Sequence, residues 1–246
     1  MMKHYTRLYW EEDNNIGHLV INDPPANKMT KIWFDEFNQV FRKDIYKSAV
    51  RGILIYGKGR HFSSGADIEQ LRKNVATRIL ISQENDIDAY PKYLSDFRES
   101  CAYLDELSIP VIGAVNGICF GSGLELALSC HMRVCGSGAL LSSPEVTYEF
   151  PPGVGGTQRL PALVGYGKAV EMIVGGEPIG AKEALSSGLV DVITDKRETV
   201  KSAETLIRYI IDIKAPYTKA NRGSYIKQFN QYIHNAKDLK SDRVIS

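Results

Sequence analysis

Two short apolar runs constrain the fold of this chain more than any other feature. Residues 52–56 read GILIY and residues 111–115 read VIGAV. Arg51 and Pro110 precede these runs, and glycine or asparagine follows them. Runs of about five apolar residues are typical of buried strands. Because helical patterns separate these strands from others along the chain, the sequence predicts an α/β domain with crossover connections.

The surrounding sequence supplies the alternating elements that such a domain needs. Residues 5–10 and 16–21 alternate around the turn Asp13-Asn14-Asn15, which predicts a β-hairpin. Thr30 is a suitable N-cap for a helix whose apolar residues recur at helical spacing. Further strands are predicted near 132–135, 139–141 and 190–193. A helical pattern near 68–107 is broken at Pro91. Further helices are predicted near 124–129, 167–174, 181–187, 197–214 and after 216.

Composition and charge exclude several classes of protein. The 246 residues include 30 Lys and Arg against 29 Asp and Glu, so the strong basic excess of nucleic-acid binders is absent and no nucleic-acid partner is expected. The N-terminal residues contain no apolar signal segment, and no apolar run could span a bilayer, so no membrane association is expected. Four cysteines without metal-site spacing indicate a cytoplasmic protein with reduced core cysteines and no metal site.

Two glycine-containing loops could bind an anion through the backbone. Gly121-Ser122-Gly123 follows a buried strand and opens a helix, where free N–H groups favour a phosphate or an oxyanion. The alternative is that these small residues only allow close packing of the helix and the strand. The loop 63–67, Ser-Ser-Gly-Ala-Asp, also exposes backbone donors, or it is only a turn.

Glu125 and Glu145 are the candidate acid–base residues. Glu125 lies in an apolar helical segment, and Glu145 follows Ser-Ser-Pro at a strand end. A carboxyl group in apolar surroundings has a raised pKa and can exchange protons near neutral pH. Two carboxyl groups with separated pKa values can divide the acid and base roles. The alternative is that each carboxylate caps a helix or pairs with Arg133 or Arg159.

Five longer segments carry a family resemblance. In chain order they read HFSSGADIEQL, IPVIGAVNGICFGSGLELALSC, SSPEV, PPGVGGTQRLPALVG and EPIGAKEALSSGLVDVI. They resemble the crotonase, or enoyl-CoA hydratase/isomerase, superfamily, and the resemblance covers residues 10–214. It implies a crotonase-like α/β spiral of ββα units with a core over 1–195 and a shortened C-terminal helical trimerisation region over 196–246. It also implies a homotrimer or hexamer that acts on an acyl-CoA thioester and needs no cofactor, since coenzyme A is part of the substrate.

The resemblance also implies roles for individual residues. Ala66 and Ser122 match the two backbone N–H donors of an oxyanion hole, and a serine at 122 keeps the donor although glycine is commoner there. The helix beginning near Ser122 is expected to add its dipole. Glu125 and Glu145 match the glutamate pair of the hydratases, with the same spacing of 20 residues. The implied reaction is hydration of a 2-enoyl-CoA to a 3-hydroxyacyl-CoA.

Coenzyme A is expected to lie beside the loop at 58–68. Lys28, Lys58 and Arg60 are candidates for its phosphates, although each could be only a solvated surface charge. Lys219 or Lys227 could reach a coenzyme A bound to a neighbouring subunit. The other predicted substrate contacts are Ser64, Gly65, Asp67, Ile68, Gly121 and Gly153.

The sequence departs from the family at several points. Tyr148 and Glu149 add bulk and a possible third acid where members often have a glycine, although Glu149 could simply face solvent. His131 replaces a frequent Asp and is predicted to be structural. The segment 67–109 is longer than in short-chain hydratases and the C-terminus is short, so acyl-chain length and assembly do not follow from the resemblance.

Other activities of the same fold remain open at this point. A Δ3,Δ2-enoyl-CoA isomerase can work with one glutamate at the Glu145 position, and the presence of Glu125 favours hydration. A decarboxylase or hydrolase is a further alternative. A non-catalytic or RNA-binding member is disfavoured by the near-neutral charge, because phosphate neutralisation needs clustered Lys and Arg.

Overall fold

A seven-stranded sheet forms the centre of the computed structural model, which describes residues 2–73, 91–213, 217 and 219–241. The strands of the described residues are β1 (Met2–His4), β2 (Leu8–Asp13), β3 (Ile16–Ile21), β4 (Gly52–Gly57), β5 (Val111–Val115), β6 (Ile118–Phe120), β7 (Met132–Gly136), β8 (Leu140–Ser142), β9 (Ile179–Gly180) and β10 (Val192–Thr194). The large sheet has the order β1-β2-β3-β4-β5-β7-β10. Its pairs are antiparallel up to β3 and parallel from β3 to β10.

The predicted apolar runs are central strands of this sheet. β4 and β5 are neighbours, and their residues are almost all buried. The predicted hairpin is formed by β2 and β3, whose turn places Asn14 and Asn15 at positive φ. Asparagine tolerates this left-handed conformation better than most residues. The α/β prediction is confirmed.

A second sheet of three short strands lies beside the large one. β6 pairs in parallel with β8, and β8 pairs antiparallel with β9. The sequence predicted β8 but missed β1, β6 and β9, which have only two or three residues. The strands β6 and β8 end at Phe120 and Ser142, so they deliver the Gly121 turn and Glu145 to the same place.

Helices cover the large sheet. They are α1 (Lys31–Lys43), α2 (Lys92–Glu106), α3 (Ser122–Leu128), α4 (Gly156–Gly175), α5 (Ala181–Ser186), α6 (Thr199–Asp212) and α7 (Arg222–Ser241), with 3₁₀ turns at Ile45–Lys47, Pro144–Tyr148 and Lys219–Asn221. Residues 68–73 are also helical. The hydroxyl of Thr30 accepts from Trp33 N at 3.3 Å and caps α1, as predicted. Residues 74–90 of the predicted helical stretch lie outside the described residues.

The two faces of the sheet have different covers. On one face, the aromatic rings of Trp33, Phe37 and Phe97 pack together between α1 and α2. On the other face, α6 packs on β4, β5 and β7, and Tyr225 and Phe229 of α7 join the same buried cluster. Residues beyond 195 therefore cover the sheet. A boundary at 195 and a role of this region in trimerisation stay predictions.

Candidate active site

The loop after β4 is fixed by hydrogen bonds along both of its sides. Ser63 exchanges two backbone hydrogen bonds with β6, at 3.1 and 3.0 Å. Met29 N donates to Gly65 O at 2.9 Å, and Asp67 N donates to Met29 O at 3.1 Å. Ala66 lies between these bonds and lines a cavity, and its N–H has no backbone acceptor within the described ranges.

Glycines allow this loop and the turn after β6 to approach each other. Gly65 has φ +89°, and a Cβ there would lie 2.7 Å from Phe120 O, so a side chain is excluded. Gly121 has φ +52°, and its N–H donates to Ser142 O at 3.0 Å. The next residue, Ser122, lines the same cavity as Ala66, and the described part of the chain offers its N–H no acceptor. Two residues with free backbone N–H groups thus line one cavity.

Glu125 lies on α3 with its side chain only 2% exposed. Its Oε1 accepts hydrogen bonds from Val154 N at 2.7 Å and from Gly156 N at 2.9 Å. Burial and the nearby charge of Glu145 raise the pKa of Glu125 from 4.5 to about 7, although these two N–H groups oppose the rise. Glu125 can therefore both donate and accept a proton near neutral pH.

Glu145 lies in the 3₁₀ turn after β8. Its Oε2 accepts from Ser143 Oγ at 2.9 Å, whereas its Oε1 is buried without a partner among the described residues. Burial raises the pKa of Glu145, and the Ser143 hydroxyl and the residue's own backbone N–H oppose that rise. The free Oε1 is available to a bound molecule.

The alternative that these carboxylates form ion pairs with arginine does not match the geometry. Arg133 is fully buried and pairs with Asp191 at 3.4 Å. Arg159 Nη1 donates to Val154 O at 3.0 Å, and its charge only moderates the pKa of Glu125. Within the described ranges, no Lys or Arg forms an ion pair with either carboxylate.

One cavity of about 700 Å³ brings most of the predicted site residues together. Its lining includes the predicted Lys28, Ser64, Gly65, Ala66, Asp67, Ile68, Gly121, Ser122, Glu125, Glu145 and Gly153. Apolar side chains not predicted from the sequence complete it: Leu71, Leu94, Phe120, Pro144, Phe150, Pro151, Val154 and Pro178. The cavity thus combines an apolar wall with two carboxylates and two free N–H groups.

The basic residues predicted for coenzyme A occupy different places. Lys28 lies at the cavity, is half exposed and forms an ion pair with Asp67 at 3.6 Å. Lys58 and Arg60 are exposed and do not line the cavity. Lys227 is exposed on α7, and the side chain of Lys219 lies outside the described residues. Among the members of this group whose side chains the structure describes, only Lys28 lines the cavity.

The structure locates the residues at which the sequence departs from the family pattern. Tyr148 lines the cavity and is 40% exposed. Glu149 is exposed, does not line the cavity and has φ +66°, a left-handed conformation that suits glycine better. His131 is buried, contacts Val111 N and Asp105 O through its ring nitrogens, and has the environment of a structural residue.

Over the described ranges, no group of three or more His, Cys, Asp or Glu residues is arranged to hold a metal ion. No helix in those same residues has both the length and the apolar character needed to cross a membrane. The four cysteines are buried and free, and burial raises the pKa of each thiol.

Comparisons with known proteins identify the family of this chain. Residues 11–242 match the enoyl-CoA hydratase/isomerase family. The chain is 36% identical over 217 residues to a probable enoyl-CoA hydratase of Bacillus subtilis strain 168, covering 85% of this chain and 77% of that protein. It is 33% identical to the fatty acid oxidation complex subunit alpha of Shewanella frigidimarina, covering 94% of this chain but only 31% of that longer protein.

A solved structure shows the same fold. A protein from Thermobifida fusca YX, crystallised in complex with acetoacetyl-CoA, is 24% identical and superposes with a TM-score of 0.72 over 97% of this chain and 92% of that one. The family match extends over nearly the whole chain and includes every residue that lines the cavity. The protein described here therefore belongs to the enoyl-CoA hydratase/isomerase family.

Proposed function

We propose that this protein adds water to a 2-enoyl-CoA thioester and forms the 3-hydroxyacyl-CoA. The observation that carries the proposal is the juxtaposition of the buried Glu125 and the partly buried Glu145 with two residues, Ala66 and Ser122, whose N–H groups are free, around one cavity. A relative named as a probable hydratase and a similar structure that holds acetoacetyl-CoA support an acyl-CoA substrate.

The N–H groups of Ala66 and Ser122 would bind the thioester oxygen. When water adds to the β-carbon, negative charge moves to this oxygen and an enolate forms. Fixed backbone donors stabilise that charge without reorganisation, and one such donor is worth roughly 10²–10³ in rate. Their position in a largely apolar cavity strengthens the effect, because electrostatic interactions are stronger where water is excluded.

Glu125 and Glu145 would exchange the protons of the reaction. One glutamate, as the carboxylate, takes a proton from water while the oxygen of that water bonds to the β-carbon. The other glutamate, as the carboxylic acid, gives a proton to the α-carbon. The pKa of Glu125, raised to about 7, keeps proton exchange available near neutral pH, and burial raises the pKa of Glu145 in the same direction. Because the two groups influence each other, their protons titrate as a pair, and we assign the acid and base roles to the pair.

The coenzyme A part of the bound substrate would extend out of the cavity past Lys28 and the loop at 63–67. Lys28 is the predicted phosphate ligand that lines the cavity, and it pairs with Asp67 at 3.6 Å. Lys58, Arg60 and the C-terminal lysines are further candidates for phosphate contacts. A homotrimer or hexamer and a cytoplasmic location remain proposals of the same kind.

A panel of enoyl-CoA esters with product analysis tests the proposal. We expect loss of the conjugated thioester chromophore and a product heavier by one water. Glu125→Gln and Glu145→Gln should each lower kcat by about 10²–10⁴, whereas Glu149→Gln, whose side chain is exposed, serves as the matched control. Unchanged turnover in both cavity variants refutes the two-carboxylate mechanism. A product of unchanged mass with a shifted double bond, lost only in Glu145→Gln, identifies an isomerase instead.

A further inference from the structure

Ser143 contacts the candidate acid–base pair and has no role in the mechanism above. Its side chain is 4% exposed and lies one residue before Pro144, which begins the turn that carries Glu145. Its Oγ donates to Glu145 Oε2 at 2.9 Å. A buried hydroxyl that donates to a carboxylate forms a charge-assisted hydrogen bond, which is stronger than one between neutral groups.

This bond determines which oxygen of Glu145 is left for the cavity. Oε2 is occupied by Ser143, and Oε1 is buried with no partner in the described part of the chain. A Cβ on Gly121 would lie 3.3 Å from Oε1, so this oxygen lies close to the Gly121 turn. The next residue, Ser122, carries one of the two free N–H donors. The unpartnered oxygen is therefore next to the place where the thioester would bind.

We propose that Ser143 is a positioning residue for Glu145, which it holds through Oε2 so that Oε1 stays directed at the reacting atoms. The terminal torsion of a glutamate side chain is broad, so the carboxylate plane can rotate unless a partner fixes it. Proton transfer requires close alignment, and a misplacement of about 1 Å can reduce the rate by about 10²-fold. This inference rests on the proposed function, because it assumes that Glu145 takes part in the reaction.

The contact between Ser143 and Glu145 can be observed by titration, because the hydroxyl affects the pKa of Glu145. Glu125 faces it from α3, and Arg72, on the helical segment 68–73, donates to the carbonyl of Tyr148 at 3.1 Å. The Ser143 hydroxyl stabilises the ionised form of Glu145 and so lowers its pKa. Removing the hydroxyl should raise the pKa of Glu145 and move the corresponding limb of the pH–rate profile to higher pH.

Three serine variants of the 246-residue chain test the proposal. We expect Ser143→Ala to lower kcat by roughly 10- to 100-fold with little change in KM, a smaller loss than for Glu145→Gln. Ser143→Thr keeps the hydroxyl and should recover most of the lost rate. Ser100→Ala removes another buried hydroxyl, which bonds Asp96 O and Asn38 Oδ1 away from the cavity, and should leave kcat unchanged.

Several results would overturn the proposal. Unchanged kcat and pH profile in Ser143→Ala would show that the contact does not matter, and equal losses in Ser143→Ala and Ser143→Thr would indicate a structural role only. If the unaltered protein converts no enoyl-CoA, the proposed function fails by itself. In that case pH-difference infrared spectroscopy of the carboxyl band still tests the contact, because an unchanged titration of Glu145 in Ser143→Ala would refute it.

Discussion

Replacing Glu125 with glutamine should stabilise the folded protein at neutral and alkaline pH. The side chain of Glu125 is almost fully buried, and burial together with Glu145 raises its pKa from 4.5 to about 7. One pKa unit corresponds to about 1.4 kcal/mol, so ionised Glu125 destabilises the folded state by about 3 kcal/mol relative to the unfolded state. Glutamine carries no charge and avoids this cost. Its Oε1 can still accept from Val154 N and Gly156 N.

The effect should depend on pH in a defined direction. Between the unfolded pKa of about 4.5 and the folded pKa of about 7, the folded state binds more protons than the unfolded state, so the stability of the natural protein falls as the pH rises. This contribution is absent below the lower value, where both states are protonated. The difference between Glu125→Gln and the natural protein should therefore be small near pH 4 and approach about 3 kcal/mol above pH 7.

Chemical denaturation over a series of pH values measures this difference. The fluorescence of the buried Trp10 and Trp33 reports unfolding, and linear extrapolation gives the free energy at each pH. Glu149→Gln removes an exposed carboxylate and provides a control for the general effect of lost charge. The reasoning is refuted if Glu125→Gln is less stable than the natural protein above pH 7, or if its stability difference does not change with pH.

Two further substitutions test the framework around the site. Gly65→Ala should destabilise the fold by roughly 1–3 kcal/mol and remove most activity, because φ is +89° and the added Cβ would meet Phe120 O. Gly138→Ala is the control, since a Cβ there would have open space. Equal melting temperatures for the two variants would contradict the prediction. Arg222→Met removes the guanidinium group that pairs with the buried side chain of Asp191, and it should lower the free energy of unfolding by about 1–3 kcal/mol. Amide hydrogen exchange in α7 should become faster. Unchanged exchange there would show that this ion pair does not hold the helix.

The central strands could be predicted because burial on both faces leaves a continuous apolar run in the sequence. The run at 111–115 coincides with β5, and the run at 52–56 matches β4 to within one residue. The small sheet could not be predicted in this way. Its strand β9 has two residues, and its existence depends on pairing with β8, nearly 40 residues earlier in the chain. No local periodicity records such a contact.

The groups proposed to act on the substrate were easier to predict than the groups that hold them. Glu125 is marked by the apolar helical segment around it and Glu145 by its place at a strand end, and both line the cavity. The N–H groups of Val154 and Gly156, which bind Glu125, belong to a turn whose sequence does not show which donors point inward. Charge alone was also a weak guide, since Lys58 lies in the predicted loop but does not line the cavity.

The serine at position 122 shows why the donor loop tolerates one departure from glycine. The left-handed conformation falls on Gly121, where a Cβ would approach Glu145 Oε1, and at Gly123 a Cβ would lie 2.8 Å from the Cβ of Ser63. Position 122 has neither constraint and contributes only its N–H. The contact between Gly123 and Ser63 brings the Ser122 turn against the loop that carries Ala66. A side chain at 123 would therefore separate the two donors while leaving both of them chemically unchanged.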